Sequence, residues 1–259
     1  MSNSGASSRD SQFRERLLGH DLLTGALVKT PTVHATEILG DLGFDFVIVD
    51  AEHAPIDRTT IDHMILAARA WRLASVVRPA SNSSEHLLTA LDCGARGLLL
   101  PHVATPQQAS ALVAACRYRG GHRGISNSPR AARYGGASIQ DHIDDSDRLT
   151  AIIALIEGIE GVNNAEAVAA VNGVDALFIG QGDLTLALGE RSPDAISVRK
   201  AVETIAQAAI RQSKPVGALA RDGNDAQWLR SIGVTMLALG TDQGFLRSAA
   251  KSMLSGLKA

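Results

Sequence analysis

The chain has 259 residues, 45% of them hydrophobic and 20% charged, with a formal net charge of −2. This is enough apolar material for a large core, without the basic surplus that nucleic acid or an anionic membrane demands of a partner. Aromatic residues, at 3%, are too few to stack single strands.

The start, MSNSGASSRDSQFRERLLGH, is polar and has no apolar core of a secretory signal. No later stretch reaches the roughly 18 uninterrupted apolar residues of a membrane span. A cytoplasmic protein is expected, with residues 1–20 as a polar N-terminal segment and leading helix and 21–259 as one domain. Cys93 and Cys116 form no C-x-x-C pair and sit in helix-like surroundings, so they read as buried structural thiols in a reducing compartment.

In chain order, short runs rich in Val, Ile, Leu and Ala alternate with segments of helical periodicity. Strand 24–30 precedes helix 33–42, and strand 46–52 precedes helix 58–71. Strands 74–80 and 96–102 precede helices 83–92 and 105–116, with start signals at Asn82-Ser83-Ser84-Glu85 and Thr105-Pro106. Residues 117–148 then break the rhythm as a long excursion carrying Arg117, Arg119, Arg123, Arg130 and Arg133. These five cations could hold a carboxylate-bearing ligand or stitch subunits together, or the segment could simply be a surface excursion. The rhythm resumes with strand 151–157, helix 161–171, strand 176–180, helix 195–213, strand 215–220, helix 223–232, strand 235–241 and helix 243–257.

Strands apolar on both faces and separated by helices point to an all-parallel sheet. Eight such units in this length predict a single (β/α)8 TIM barrel. In such a barrel the C-terminal strand ends converge on the active face. Those ends carry Lys29, Asp50, Glu52, His53, Arg78, His102, Glu157, Asp183, Arg221 and Asp242.

Glu157 ends one strand, and Asp183 follows "ALFIGQG" just after the next, so neighbouring parallel strands bring two carboxylates to one rim. Their repulsion calls for a cation, and oxygen-only ligation suits Mg²⁺ or Mn²⁺ with positions left open for substrate. The Gly180-Gln181-Gly182 run fails the G-x-G-x-x-G pattern at Thr185, and an acid at Asp183 would oppose a pyrophosphate. A plain N-cap role for Asp183, opening a short helix, is the structural alternative. His53 is the natural acid/base, with Asp50 expected to fix its tautomer and Pro55 holding the turn. Arg78, locked by Pro79, is placed to stabilise an oxyanion. Metal, imidazole and guanidinium together describe proton transfer or carbon–carbon cleavage beside a carbonyl.

"DFVIVDAEHAPID", "VVRPA", "DCGARGLLLPHV", "RGISNSPRAARYGG", "LIEGIEG" and "VDALFIGQGDLTLALG", in that order, resemble the HpcH/HpaI family of metal-dependent aldolases. The resemblance spans roughly residues 24–245. It implies class II chemistry: a divalent ion (Mg²⁺, Mn²⁺ or Co²⁺) chelated by pyruvate, and reversible cleavage of a 4-hydroxy-2-oxo acid to pyruvate and an aldehyde. The implied substrates are 4-hydroxy-2-oxoheptanedioate or a 2-keto-3-deoxy sugar acid, in a setting such as aromatic compound catabolism. It further implies a homohexamer whose subunits exchange the C-terminal helix.

Matched position by position, Glu157 and Asp183 correspond to the metal ligands and His53 to a base acting through water, with Asp50 as its partner. Arg78 matches the group at the keto oxygen, and the amides around Gly182 and Asp183 match the carboxylate contacts. Glu52 is expected behind these, holding metal-bound water. Two departures stand out: Leu155 where many members have Gln, and Gly180-Gln181-Gly182-Asp183 where Gly-Pro-Ala-Asp or Gly-Pro-Asn-Asp is usual. Gln181 could stand in for the missing amide. Other readings stay open: a Schiff-base aldolase using Lys29, an acyl-CoA lyase with a similar site, or a non-catalytic pyruvate- and metal-binding barrel.

Overall fold

Side chains of a strand point alternately to its two faces, and in this chain both faces are apolar. The computed structural model describes residues 10–258, and the polar segment ahead of them lies outside the described residues. Strands β1 (Leu23–Val28), β2 (Phe46–Asp50), β3 (Ala74–Arg78), β4 (Gly97–Leu100), β5 (Ala151–Ile156), β6 (Ala176–Ile179), β7 (Val216–Leu219) and β8 (Met236–Thr241) run parallel. They close in sequence order, with β8 pairing back onto β1. One parity, including Phe46, Ile48, Val76, Ile153 and Leu155, fills the barrel interior. The other, including Val47, Val49, Val77, Ile152 and Ala154, packs against the surrounding helices.

The crossovers are α2 (Val33–Asp41), α3 (Arg58–Ala70), α4 (Ser84–Cys93), α5 (Pro106–Cys116), α6 (Ile139–Leu149), α7 (Ile159–Ala169), α8 (Gln181–Ala187), α9 (Ile196–Arg211), α10 (Gly223–Ser231) and α11 (Asp242–Lys258). The start signals act as expected. Ser83 caps α4, and Thr105 opens α5 through a reciprocal capping box with Gln108 beside Pro106. Asp183 is not an N-cap: α8 begins two residues earlier, behind Gly180, and Asp183 sits in its first turn.

The ladders of β2 and β3 include Asp50 and Arg78, whereas β1 and β5 stop short of Lys29 and Glu157. The excursion 117–148 is also more ordered than its composition suggests. It contains a short 3₁₀ segment at Arg130–Gly135 and all but the last residue of α6, whose polar face hid its helical period.

The N-terminal end of the barrel is closed by α1 (Phe13–Leu18), whose Phe13 and Leu17 join the interior cluster. Phe13 packs on Phe46 with ring centroids 5.9 Å apart. Ion pairs Arg14–Asp175 (2.8 Å), Arg16–Asp45 (2.8 Å) and Arg96–Asp10 (2.9 Å) tie this entry segment to the loops beneath the strands. No described helix is long and apolar enough to cross a membrane. Cys93 and Cys116 are free and buried, and burial pushes their thiols up to about 11 and about 12.

Within the interior, large rings sit against glycines. A Cβ at Gly25 would overlap the Phe46 ring, and one at Gly217 would overlap the Phe178 ring. Gly25→Ala is therefore expected to overpack the core and cost about 1–3 kcal/mol, read from urea unfolding. Phe46→Leu introduced beside it should recover part of that loss, and an unaltered midpoint in Gly25→Ala would show that the base of the barrel is loosely filled.

Candidate active site

The inward parity runs to the last rung of the ladder and, at β1 and β5, past it. Lys29 continues the series of Leu23 and Leu27, Asp50 that of Phe46 and Ile48, Arg78 that of Ala74 and Val76, and Glu157 that of Ile153 and Leu155. Four ionisable side chains thus share the inner face just above the apolar layers; a shift of one residue would have turned them toward the helices.

Asp50 and Arg78 are register partners on β2 and β3. Asp50 is fully buried, and Arg78 grips it with two bonds, Nε to Oδ1 at 2.9 Å and Nη2 to Oδ2 at 2.6 Å. Lys29 Nζ lies 3.2 Å from Oδ2, and the backbone amides of Glu52 and His53 donate to Oδ1 at 3.3 and 3.2 Å. Burial opposes ionisation of Asp50, but the bonds and charge of Arg78 outweigh it and hold the carboxyl below its ordinary range. Lys29 is accordingly an ion-pair partner of Asp50, which weakens its case as a free amine at the rim.

This geometry corrects one expectation. Asp50 does not face the His53 ring; it holds the main chain of that turn, its side-chain capacity being committed to Arg78 and Lys29. The half-exposed His53 ring instead has Nε2 3.6 Å from Glu52 Oε2. Glu52 also approaches Arg78 Nη1 at 3.3 Å, and its Oε1 lies 3.0 Å from His102 Nε2. Buried Oε2 accepts no hydrogen bond within the chain.

Glu157, 5% exposed, receives the backbone amide of His102 on Oε1 at 2.7 Å, with His102 Nδ1 2.9 Å from the same oxygen. Burial pushes its carboxyl up to about 7; His102 pulls the other way, while the charges of Asp183 and Glu52 push it further. Glu157 is thus buried within the fields of two further carboxylates, Asp183 and Glu52, with His102 as the group that favours its charge. A divalent cation answers that negative charge. Among the described residues no three His, Cys, Asp or Glu side chains converge to enclose an ion. Glu157 and Asp183, which both line one cavity, are the two carboxylates that could hold such an ion with positions left open.

A cavity of about 450 Å³ opens above these groups, lined by Lys29, His53, Arg78, Glu157, Gly182 and Asp183, with Leu155 and Phe178 as apolar floor. Gly180 is required here, because a Cβ would collide with the Glu157 side chain. At Gly182 an added Cβ would meet nothing within 4 Å, so the backbone of that turn faces open space. Leu155, 2% exposed, occupies the place where the family resemblance expects an amide.

Gln181 does not replace that amide toward Glu157. Its Nε2 donates to the Leu219 carbonyl at 3.0 Å and approaches Asp225 at 3.5 Å, leaving Oε1 buried without a partner. Arg221 lines the opposite wall but is paired with Asp194 and Asp225 at 2.9 and 2.8 Å. Asp242 is structural: its carboxylate accepts the amides of Lys29 and Thr30. None of the residues lining this cavity comes from 117–148. The five arginines of that excursion pair within the chain, with Asp175, Asp144, Asp92, Asp62 and Asp145. That leaves them poorly placed to form a basic groove for a nucleotide. The contacts of Glu52 and the bridge formed by His102 were not assigned from sequence; the only signal was position, since His102 follows Pro101 directly above β4.

Comparison with known proteins agrees with this architecture. The family model described as HpcH/HpaI aldolase/citrate lyase matches residues 28–249. A 5-keto-4-deoxy-D-glucarate aldolase of Klebsiella pneumoniae subsp. pneumoniae is 36% identical over 250 residues, covering 96% of this chain and 97% of that protein. One of the same name from Enterobacter sp. is 34% identical over 250 residues, with the same coverage of both chains. The crystal structure of an HpcH/HpaI aldolase/citrate lyase family protein from Burkholderia cenocepacia superposes with a TM-score of 0.92 at 29% identity, covering 96% of this chain and 100% of that one. A shared barrel and relatives matched from end to end leave one assignment: the chain belongs to the HpcH/HpaI aldolase/citrate lyase family.

Proposed function

We propose that this protein is a class II pyruvate aldolase that cleaves a 4-hydroxy-2-oxo acid reversibly into pyruvate and an aldehyde. The observation that carries this reading is that Glu157 and Asp183 line one cavity that also presents Arg78 and His53. The substrate in the relatives' name supports it chemically: counted from its keto end, 5-keto-4-deoxy-D-glucarate is a 4-hydroxy-2-oxo diacid. We assign this chain a substrate of that class.

A divalent cation, Mg²⁺, Mn²⁺ or Co²⁺, held by Glu157 and Asp183 supplies the positive charge that polarises the 2-oxo group. Arg78 is fixed by Asp50 through Nε and Nη2, and Nη1, 3.3 Å from Glu52 Oε2 but not hydrogen-bonded to it, can donate to the oxygen where negative charge develops. His53, working through a water, takes the proton of the 4-hydroxyl. The O–H pair then forms the aldehyde C=O as the C3–C4 bond breaks, its pair becoming the C2=C3 bond while the carbonyl π pair moves onto the 2-oxo oxygen, and the aldehyde departs. Reprotonation at C3 gives the pyruvate methyl group. Asp50 serves this sequence by holding the turn of His53 and the fork of Arg78, and Glu52 is the acid that faces the His53 ring. Amides of the Gly182–Asp183 turn are available to the pyruvate carboxylate. The apolar side chains of Leu246, Met253, Leu254 and Leu257 exposed on α11 support a homo-oligomer, such as a hexamer, sharing its last helix between subunits.

Pyruvate release followed by a coupled assay should vanish on complete removal of divalent metal with EDTA and return on adding Mg²⁺ or Mn²⁺; turnover that survives metal removal sinks the reading. His53→Ala should lower kcat by about 10²–10⁴-fold while leaving Mn²⁺ affinity as in the wild type, since its role is proton transfer; lost Mn²⁺ binding would assign His53 to the cation instead.

Stability should depend on pH in a definite direction. A Glu157 carboxyl raised from an ordinary 4.5 to about 7 keeps its proton in the native chain where the unfolded chain has released it. Without a cation, stability therefore falls as pH rises through that window. Adding Mg²⁺ should raise Tm more at pH 8 than at pH 6 in thermal unfolding, and equal gains at both would argue against Glu157 as the ligand.

A further inference from the structure

His102 stands above β4 with φ of 55°, in the left-handed region that a residue with a side chain adopts only at some strain. The strained backbone brings two nitrogens to one carboxylate oxygen: the main-chain amide donates to Glu157 Oε1 at 2.7 Å, and ring Nδ1 makes an ion-pair contact 2.9 Å from it. The ring itself is pinned from its far side, where Nε2 lies 3.0 Å from Glu52 Oε1. One hydrogen bond from the amide and the close ring nitrogen together cover this oxygen on the side of β4. The other oxygen, Oε2, faces the end of β6: a Cβ built on Gly180 would stand 3.1 Å from it. From Gly180 the chain reaches Asp183 in three residues. The two oxygens of Glu157 are thereby given different jobs, one toward β4 and one toward β6.

We propose that His102 is a positioning residue for the divalent cation: by occupying Glu157 Oε1 from amide and ring, it presents Oε2 alone to an ion shared with Asp183. This rests on the aldolase reading above, and it extends the polar part of the site to the loop after β4, a strand that otherwise contributes only the apolar Leu99 to the cavity wall. The imidazole acts through Glu157 and does not itself ligate the ion. Partners of this kind fix the orientation of a ligating carboxylate, and their loss typically weakens metal affinity by roughly 10–100-fold.

The test is Mn²⁺ binding to the full-length protein, by calorimetric titration and by the electron paramagnetic resonance signal of free Mn²⁺. His102→Gly relieves the backbone strain and keeps the main-chain amide but removes the ring. Its Mn²⁺ affinity should fall by roughly 10–100-fold, with circular dichroism and Tm confirming that it folds. His102→Asn tolerates the left-handed backbone and carries an amide donor in place of Nδ1, so it should recover most of the loss. Wild-type affinity in His102→Gly overturns the proposal. So does failure of His102→Asn to exceed His102→Gly, or a directly coordinated imidazole nitrogen in electron spin-echo spectra of the Mn²⁺-loaded wild type. Absence of Mn²⁺ binding by the wild type would overturn the aldolase reading and this one together.

Discussion

A carboxylate with no access to solvent has to be stabilised by the protein alone, and Asp50 is such a group. Its attraction for the Arg78 guanidinium, strengthened by Lys29 and two backbone amides, compensates the loss of water and fixes three strand ends relative to one another. Removing one member of a pair this deeply buried leaves the other uncompensated, which is far costlier than losing a surface contact. The direction of the Arg78 fork, the turn that bears His53 and the place of the Glu52 carboxylate all follow from this one ionic anchor.

Around it the charges are unequally distributed. On the β1–β3 side, Asp50 and Glu52 are met by Lys29 and Arg78. On the β5–β6 side, Glu157 and Asp183 line the same cavity, and the contacts recorded for Glu157 come from the amide and ring of His102. The imbalance gives the cavity a polarity of its own, a cationic wall opposite an acidic one.

The fold was legible because both periodicities are strong: apolar runs of strand length, capped helices and eight repeats leave little choice of architecture. The site was legible as a set of strand ends, and parity explains why Lys29, Asp50, Arg78 and Glu157 meet. Pairings within the set were less so. Asp50 and His53 are three residues apart, which invited a local partnership, yet Arg78, 28 positions further on, is directly opposite in register and offers a bidentate match that a nearby imidazole cannot equal. The arginines of 117–148 misled in the same way. Their acids, such as Asp62, Asp92 and Asp175, lie far off in sequence or on other elements, so a stretch that reads as cationic is locally neutralised once folded.

The closure of the barrel at its N-terminal end bears on how molecules move. With Phe13 and Leu17 of α1 sealing the base and Phe46 and Phe178 filling the shaft against Gly25 and Gly217, the cavity is a blind well rather than a channel. Whatever rests on the floor formed by Leu155 and Phe178 entered through the mouth and leaves by it. When two fragments occupy the well together, the lower one departs only after the upper, so the order of traffic is set by the architecture of the barrel before any side chain at the rim takes part.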